Sequence, residues 1–298
     1  MGGGGGTPEP HRPPPDDLEA PEQRRSRILG GPRRGGGRGV GVAVASTVIF
    51  FGIVVLVVVN SPGWPAVKQS FFNGERFRAD FAEIAGAFLL NVKIFLTAEV
   101  FILIFALFLA VLRSLAGPVF FPIRALAIGY IDLFRAIPTV LVIYILGFGA
   151  PPLGIQGVPT SPYFWAVVSL VLVYSAYVAE VYRAGIESVH ESQIAAARSL
   201  GLSRWQSLRF VVLPQAVRRV IPPLLNDFIG LQKDTALVAF IGPVEVFRQA
   251  QIDSAATYNF TPYVTAAVLF VLLTIPLARI TDALIARDRR RRAVGAAA

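Results

Sequence analysis

Cysteine is absent from this sequence, so no disulfide and no cysteine-ligated metal can contribute to its structure. Histidine is nearly absent: His11 and His190 lie far apart and lack the spacing of metal ligands. Charged residues are also scarce, at 16% of the 298 residues against about 25% in a typical soluble domain. We therefore expect no metal, no cofactor and no soluble globular fold.

Two kinds of catalytic motif are missing as well. The sequence contains no Gly-x-x-x-x-Gly-Lys-[Ser/Thr] phosphate loop, and no nucleophile and base are spaced as in a hydrolase. The chain is therefore not expected to be an enzyme or to bind ATP. If it moves a solute uphill, a partner subunit must hydrolyse the ATP.

Long apolar runs are what the sequence has in abundance. Hydrophobic residues make up 54% of the chain, and the mean hydropathy is +0.59. Runs of about 20 apolar residues are long enough to cross a bilayer as α-helices. The sequence therefore predicts an all-α polytopic membrane protein with six transmembrane helices, at about residues 40–60, 91–112, 125–149, 163–182, 221–241 and 264–283. Pro138 is predicted to kink the third span, because proline has no N–H to donate.

The segments between and beyond these spans have distinct compositions. Residues 1–39 are rich in Gly, Pro and Arg and cannot bury enough apolar surface to order themselves, so we expect a disordered cytoplasmic tail. Residues 61–90 are expected to form an extracytoplasmic loop with some amphipathic helix, and residues 242–262 a second outer loop. The transmembrane domain is expected over residues 91–286, with a basic cytoplasmic tail at residues 287–298.

Positive charge is distributed unevenly along the chain. The net charge of +9 is compatible with nucleic-acid binding, but most of the 28 Lys and Arg residues lie in the two tails and between the fourth and fifth spans. The segments expected on the other side carry only Lys68, Arg76, Arg78 and Arg248. Because Lys and Arg accumulate on the cytoplasmic side of spans, both termini are predicted to be cytoplasmic in a plasma-membrane protein. This distribution favours contact with membrane lipid and gives no support to nucleic acid as a partner.

Several polar side chains fall inside the predicted spans, where they are costly unless they face a partner or water. The candidates for a substrate path are Glu99, Asn226, Asp227, Lys233 and Asp234. Asn226 and Lys233 recur at helical spacing, and Asp227 and Asp234 form an adjacent stripe. Such a stripe is expected to face the bundle interior or water. A translocation path and a hydrogen-bonded network between helices or protomers both remain open.

The segment between the fourth and fifth spans has the pattern of two short amphipathic helices. The first is predicted from Glu191 to Leu200, with Ile194, Ala197 and Leu200 on one face. Gly201 is placed where a helix ends in a left-handed residue. Ser203 and Gln206 have the spacing of a capping box, which predicts that the second helix begins there. Pro214 is expected to end it.

This segment and its flanks resemble the cytoplasmic loop of ABC importer permeases, in particular those of the polar amino-acid family. The resemblance is carried by Tyr174–Glu180, Arg183–Ile186, Gln193–Gly201, Leu213–Ala216, Asn226–Ile229 and Lys233–Thr235. In that family the loop docks into a cleft of an ATP-hydrolysing subunit. The resemblance thus implies an ATPase contact through Glu191, Gln193, Ala195, Ala196, Ala197, Leu200, Gly201, Ser203 and Trp205. One position departs from the family pattern: Ala195 stands where the family has Glu, and we hypothesise that Glu191 supplies the missing charge.

The resemblance also implies the partners. They are an ABC ATPase subunit, an extracytoplasmic solute-binding protein, a second permease copy or paralogue, and a polar or charged amino acid as cargo. The family core has five helices, so the span at residues 40–60 is interpreted as an added N-terminal anchor.

Two alternatives remain open at this point. The chain could be an ion-coupled secondary transporter or a channel that uses Glu99, Lys233 and Asp234 as a relay. It could also be a membrane-tethered regulator that binds DNA through the helix pair at residues 191–213, although the helix pair offers few cations. Transport by the chain alone would support the first alternative, and specific DNA binding would support the second.

Overall fold

The computed structural model describes residue 2, residues 37–115 and residues 117–295. Most of the tail expected to be disordered lies outside these residues, although its end at Gly37 already belongs to a helix. The chain divides into two units, Met1–Trp64 and Pro65–Ala298. In the first unit, α1 spans Gly37–Val59. Its most apolar stretch has a mean hydropathy of 3.0 and contains no buried residue.

The regular secondary structure of the second unit is entirely helical within its described residues. Its α-helices are α2 (Trp64–Phe71, beginning at the unit boundary), α3 (Gly74–Ser114), α4 (Phe121–Ala136), α5 (Thr139–Gly149), α6 (Pro162–Glu187), α7 (Glu191–Ser199), α8 (Arg204–Ser207), α9 (Leu213–Asp234), α10 (Val246–Thr257) and α11 (Thr261–Gly295). Short 3-10 helices cover Pro118–Phe120, Pro151–Leu153 and Thr235–Ile241, and a π-helical turn covers Leu208–Val212.

Helix α6 lies at the centre of the second unit. It packs against α3, α4, α5 and α9, and α3 also packs against α10 and α11. Ile94 and Ile102 of α3 and Leu170 of α6 are fully buried in the main core. Their burial is expected, because both helices are apolar on nearly every face and only the protein-facing side meets other helices.

The third predicted span is broken where the sequence indicated. Helices α4 and α5 meet at an angle of 104° around Ile137 and Pro138. Ile137 has extended backbone angles, as a residue before proline prefers, and its N–H still donates to the carbonyl oxygen of Leu133. Arg135 does not pair with Asp132 among the described residues; its guanidinium instead lies over the ring of Tyr177.

Four helices of the described chain are long and apolar enough to cross a membrane, and the α4–α5 pair is a fifth candidate. Helix α9 does not meet that criterion because it is too polar, so the count of six spans remains a prediction. Two expected loops contain substantial helix. Helix α3 begins at Gly74 because Asn73 caps it by accepting from the N–H groups of Glu75 and Arg76. The segment at residues 242–262 contains α10, which packs against α3 and α11.

Candidate functional site

The segment between α6 and α9 folds as its local chemistry predicts. The His190 ring accepts from the N–H of Ser192 at the start of α7, and Gly201 ends that helix with a φ of +87°. Ser203 and Gln206 form the predicted capping box, with N···O distances of 3.2 and 2.8 Å. Pro214 does not end the second helix. The chain stays helical through the π turn, and Pro214 lies in the first turn of α9, where its missing N–H costs little.

The loop, defined as residues 188–213, presents a largely exposed surface. Of the nine residues assigned to an ATPase contact, all are exposed except Ala197. Leu200 is 83% exposed and Trp205 is 66% exposed, so large apolar side chains face outward. Helix α7 ends at Ser199 with Leu200 as its C-cap; of the three residues predicted on one face, Ala197 is buried and Leu200 is exposed.

Both ends of the loop are tied to the helical bundle. The guanidinium of Arg219, on α9, donates to the carbonyl oxygen of Ser188 at the end of α6. Gly185 lets the two helices approach closely, since a Cβ atom there would lie 2.1 Å from Cγ1 of Val220. The loop is therefore attached to α6 and α9 at adjacent points.

An ion-pair network joins α3 to α6 next to the loop. Arg113 donates to Glu180 at 2.7 Å, and Glu180 also pairs with Arg183, which in turn pairs with Glu187. This network links the end of α6 to the end of α3. The Arg113 and Glu180 side chains are each 22% exposed, so solvent screens them only in part.

The predicted path residues divide into two groups. The carboxyl groups of Asp234, Asp227 and Glu99 lie in the space between α3, α6 and α9: Tyr174 donates to Asp234 at 2.9 Å, and Glu99 lies near Asp227. One buried oxygen of Asp227 has no hydrogen-bond partner among the described residues. Asn226 and Lys233 are exposed on α9 instead, so the five residues do not form one continuous stripe.

A cavity of about 340 Å³ connects this polar region with the loop. It lies between α4, α6 and α9, and its polar lining comes from Arg135, Tyr177, Glu180, Arg219 and Asp227. The break between α4 and α5 places Arg135 at this cavity. Cationic and anionic side chains therefore share one space beside the loop, which suits a polar ligand better than an apolar one.

Sequence reasoning missed a buried polar junction built on Asn91 and Glu245. The Asn91 side chain donates to Glu245 at 2.8 Å and to Thr235 at 3.1 Å, and accepts from the N–H of Val246 at 3.0 Å. Burial raises the pKa of Glu245, while hydrogen bonds from Phe247, Asn91 and Arg248 oppose that rise. A lone carboxylate within the apolar stretch at residues 240–247 was the available signal, because such a group needs partners.

Among the residues that the structure describes, no group of three or more His, Cys, Asp or Glu side chains could hold a metal ion. The described second unit is a bundle of apolar helices around an apolar core, with a few carboxyl groups between α3, α6 and α9 and an exposed loop attached to two of the helices. These features are those of an integral membrane protein.

Comparison with known proteins specifies that class. Residues 102–290 match the family described as the binding-protein-dependent transport system inner membrane component, and the chain belongs to this family. It is 36% identical over 160 residues to the probable glutamine ABC transporter permease GlnM of Bacillus subtilis, covering 53% of this chain and 73% of that one. It is 31% identical over 210 residues to the probable glutamine ABC transporter permease GlnP of the same organism, covering 69% and 94%.

A solved structure shares the fold. The crystal structure of an amino acid ABC transporter with histidines matches with a TM-score of 0.63 and 30% identity, over 68% of this chain and 93% of that chain. The family resemblance predicted from the loop residues is thus confirmed. The alternative of an ion-coupled secondary transporter or channel is not favoured.

Proposed function

We propose that this chain is the membrane permease subunit of an ATP-driven importer for a polar or charged amino acid. The observation that carries the proposal is the exposed loop at residues 188–213, which is held to α6 and α9 at adjacent points. A surface with apolar side chains facing outward and rigid attachment to the bundle is suited to receive force from another protein. The family match supports transport in the direction of import, and the glutamine permeases among the relatives support an amino acid as the cargo.

In this proposal the loop docks on an ABC ATPase subunit. Trp205 and Leu200 are its apolar anchors, since large exposed hydrophobic side chains dominate the energetics of many interfaces. Glu191, Gln193 and Ser203 surround them with polar contacts, and Glu191 replaces the charge absent at Ala195. Gly201 provides the turn that separates the two helices. Ala197 is buried and supports the loop from within, where α7 packs against α8 and the π-helical turn.

Movement of the ATPase then tilts α6 and α9 together, because Arg219 and Gly185 join them beside the loop. The polar space between α3, α6 and α9 would open alternately to the two sides of the membrane. Glu99, Asp227 and Asp234 line this path from within one copy. Asn226 and Lys233, exposed on α9, contribute from the face that a second permease copy would complete.

The topology that fits this mechanism has six spans and cytoplasmic termini. Helix α9 is the sixth span in this proposal. It is less apolar than the other spans because its polar residues face the path and not lipid. The α1 helix is an added anchor before the permease core, and the extracytoplasmic side receives a solute-binding protein. The Arg and Lys residues of the loop and tails support this orientation.

The experiment is to reconstitute the chain with the proposed ABC ATPase and solute-binding protein and to measure ATPase stimulation by glutamine, glutamate, arginine and histidine. Trp205→Ala is expected to weaken ATPase binding by about 2 kcal/mol, roughly thirtyfold, as for an aromatic anchor. Leu153→Ala is the matched control, because Leu153 is 68% exposed but lies far along the chain from the loop. Failure of the ATPase to bind, or uptake driven by a proton gradient without ATP, would contradict the proposal.

A further inference from the structure

An apolar groove runs along the outside of the second unit between α3 and α6. It encloses about 680 Å³ and has almost no polar lining. Phe101, Ile104 and Phe108 form one wall, and Val167 and Val171 form the other. Ile104 is 64% exposed, so the groove is open to its surroundings. In a membrane those surroundings are lipid chains. Because the groove is concave, a single chain lying in it would contact both walls.

One end of the groove is polar and cationic. Thr97 donates to the carbonyl oxygen of Lys93 at 2.8 Å, so the 3.0 Å contact between the Thr97 and Tyr163 hydroxyls leaves Tyr163 as the donor. These bonds fix the Tyr163 ring, and the Lys93 ammonium lies 5.2 Å from its centre. Lys93 is exposed and forms no salt bridge within the described part of the chain. An unneutralised cation is thus held at the mouth of an apolar groove.

The spacing along α3 matches the dimensions of a bilayer. Lys93 and Arg113 are about 30 Å apart at 1.5 Å per residue, which equals the thickness of the hydrocarbon core. The groove extends from Thr97 to Phe108, or about 16 Å. That length is close to the thickness of a single leaflet. The cation therefore lies where lipid headgroups are, and the groove lies where one acyl chain would extend.

We infer that this groove is a binding site for an anionic phospholipid, with one acyl chain between α3 and α6 and the headgroup phosphate at Lys93. The apolar walls accept the chain, and the uncompensated ammonium favours a lipid with net negative charge. A single cation near the membrane surface favours an anionic lipid about fivefold. The site is separate from the polar interior between α3, α6 and α9, and it does not depend on the proposed transport function.

The test is native mass spectrometry of the purified full-length chain, titrated with dioleoyl phosphatidylglycerol or dioleoyl phosphatidylcholine. The two lipids have the same acyl chains and differ in net charge. Lys93→Gln removes the cation while keeping a similar side-chain length. Ile104→Trp fills the groove, and Leu107→Trp is its matched control, because Leu107 is 55% exposed on the same helix but does not line the groove.

We expect one tight phosphatidylglycerol site in the unmodified chain, with about fivefold preference over phosphatidylcholine. Lys93→Gln should make the two lipids bind equally, and Ile104→Trp should abolish the site while Leu107→Trp retains it. Equal binding by the unmodified chain, or a preference that survives Lys93→Gln, would overturn the headgroup assignment. Retention in Ile104→Trp, or loss in Leu107→Trp, would mean that the lipid lies elsewhere.

A second measurement distinguishes lipid from a protein occupant. The chain has no cysteine, so Ile104→Cys introduces a single thiol at the groove. If lipid fills the groove, oxidation in native membranes leaves this variant monomeric on a non-reducing gel. A disulfide-linked dimer would place a second copy against the groove and would refute the lipid site.

Discussion

Gly185 is a position where α6 and α9 approach closely beside the loop, and replacing it by alanine should force them apart. The new Cβ atom would lie 2.1 Å from Cγ1 of Val220 and 3.4 Å from the carbonyl oxygen of Ala216. Carbon atoms pack at about 3.5–4.0 Å, so the overlap with Val220 exceeds 1 Å by a rough estimate. Valine in a helix has one strongly preferred χ1 angle, so rotation of its side chain cannot relieve the overlap cheaply.

The expected net cost follows from two opposing effects. Overpacking a well-packed contact costs about 1–3 kcal/mol, while alanine gains up to about 1 kcal/mol over glycine in helix propensity. Gly185→Ala should therefore lower the free energy of unfolding by up to about 2 kcal/mol. Gly129→Ala is the control, because a Cβ atom at Gly129 of α4 meets nothing within 4 Å. It should be neutral or stabilising.

The assay is equilibrium unfolding in mixed micelles with increasing dodecyl sulfate, followed by far-UV circular dichroism. A double-mutant cycle with Val220→Ala isolates the contact: if the clash is with Val220, the double variant should be more stable than the sum of the two single changes predicts, by about 1 kcal/mol or more. The reasoning would be refuted if Gly185→Ala stabilised the protein as Gly129→Ala does. Strict additivity in the cycle would refute it equally.

Three further changes test other contacts. Asn91→Ala should lower the free energy of unfolding by about 2–3 kcal/mol in the same assay, because it leaves the buried Glu245 carboxylate without a side-chain donor; a loss below about 0.5 kcal/mol would contradict the junction. Glu245 lies outside the candidate spans and has a raised pKa in the folded chain, so the folded state holds its proton more tightly than the unfolded state does. The stability that this proton contributes is fully present below the pKa of Glu245 in the unfolded chain. It is lost as pH rises through the higher pKa of Glu245 in the folded chain. Glutamine does not titrate, so only the unmodified chain should lose this stability between pH 4.5 and pH 8. The thermal midpoint of Glu245→Gln should therefore rise relative to that of the unmodified chain over this range. A difference in midpoint that does not change with pH would exclude a contribution from Glu245 titration. Gly147→Ala should destabilise by up to about 2 kcal/mol after the same gain in helix propensity is subtracted, because its Cβ atom would lie 2.5 Å from Cγ2 of Ile241. Thermal unfolding alongside Gly149→Ala, whose Cβ atom meets nothing within 4 Å, checks the clash.

Local sequence chemistry was sufficient where the interacting residues are neighbours. The left-handed Gly201, the Ser203–Gln206 capping box and the break at Pro138 all depend on residues within a few positions, and each was confirmed. The same reasoning was wrong at Pro214, because the chain continues from the π-helical turn into α9 and places this proline in the first turn of the longer helix.

Helical, membrane-embedded structure and the family pattern of the loop could be predicted from the residues alone, because hydrophobic run length and capping chemistry act over short distances. Which polar residues meet could not be predicted in this way, because it depends on how the helices pack. Asn91 pairs with Glu245 across 154 positions and Tyr174 with Asp234 across 60, while Lys233, one residue before Asp234, is exposed. A helix presents its residues to every side, so its neighbours, and not its own spacing, select the groups that become partners.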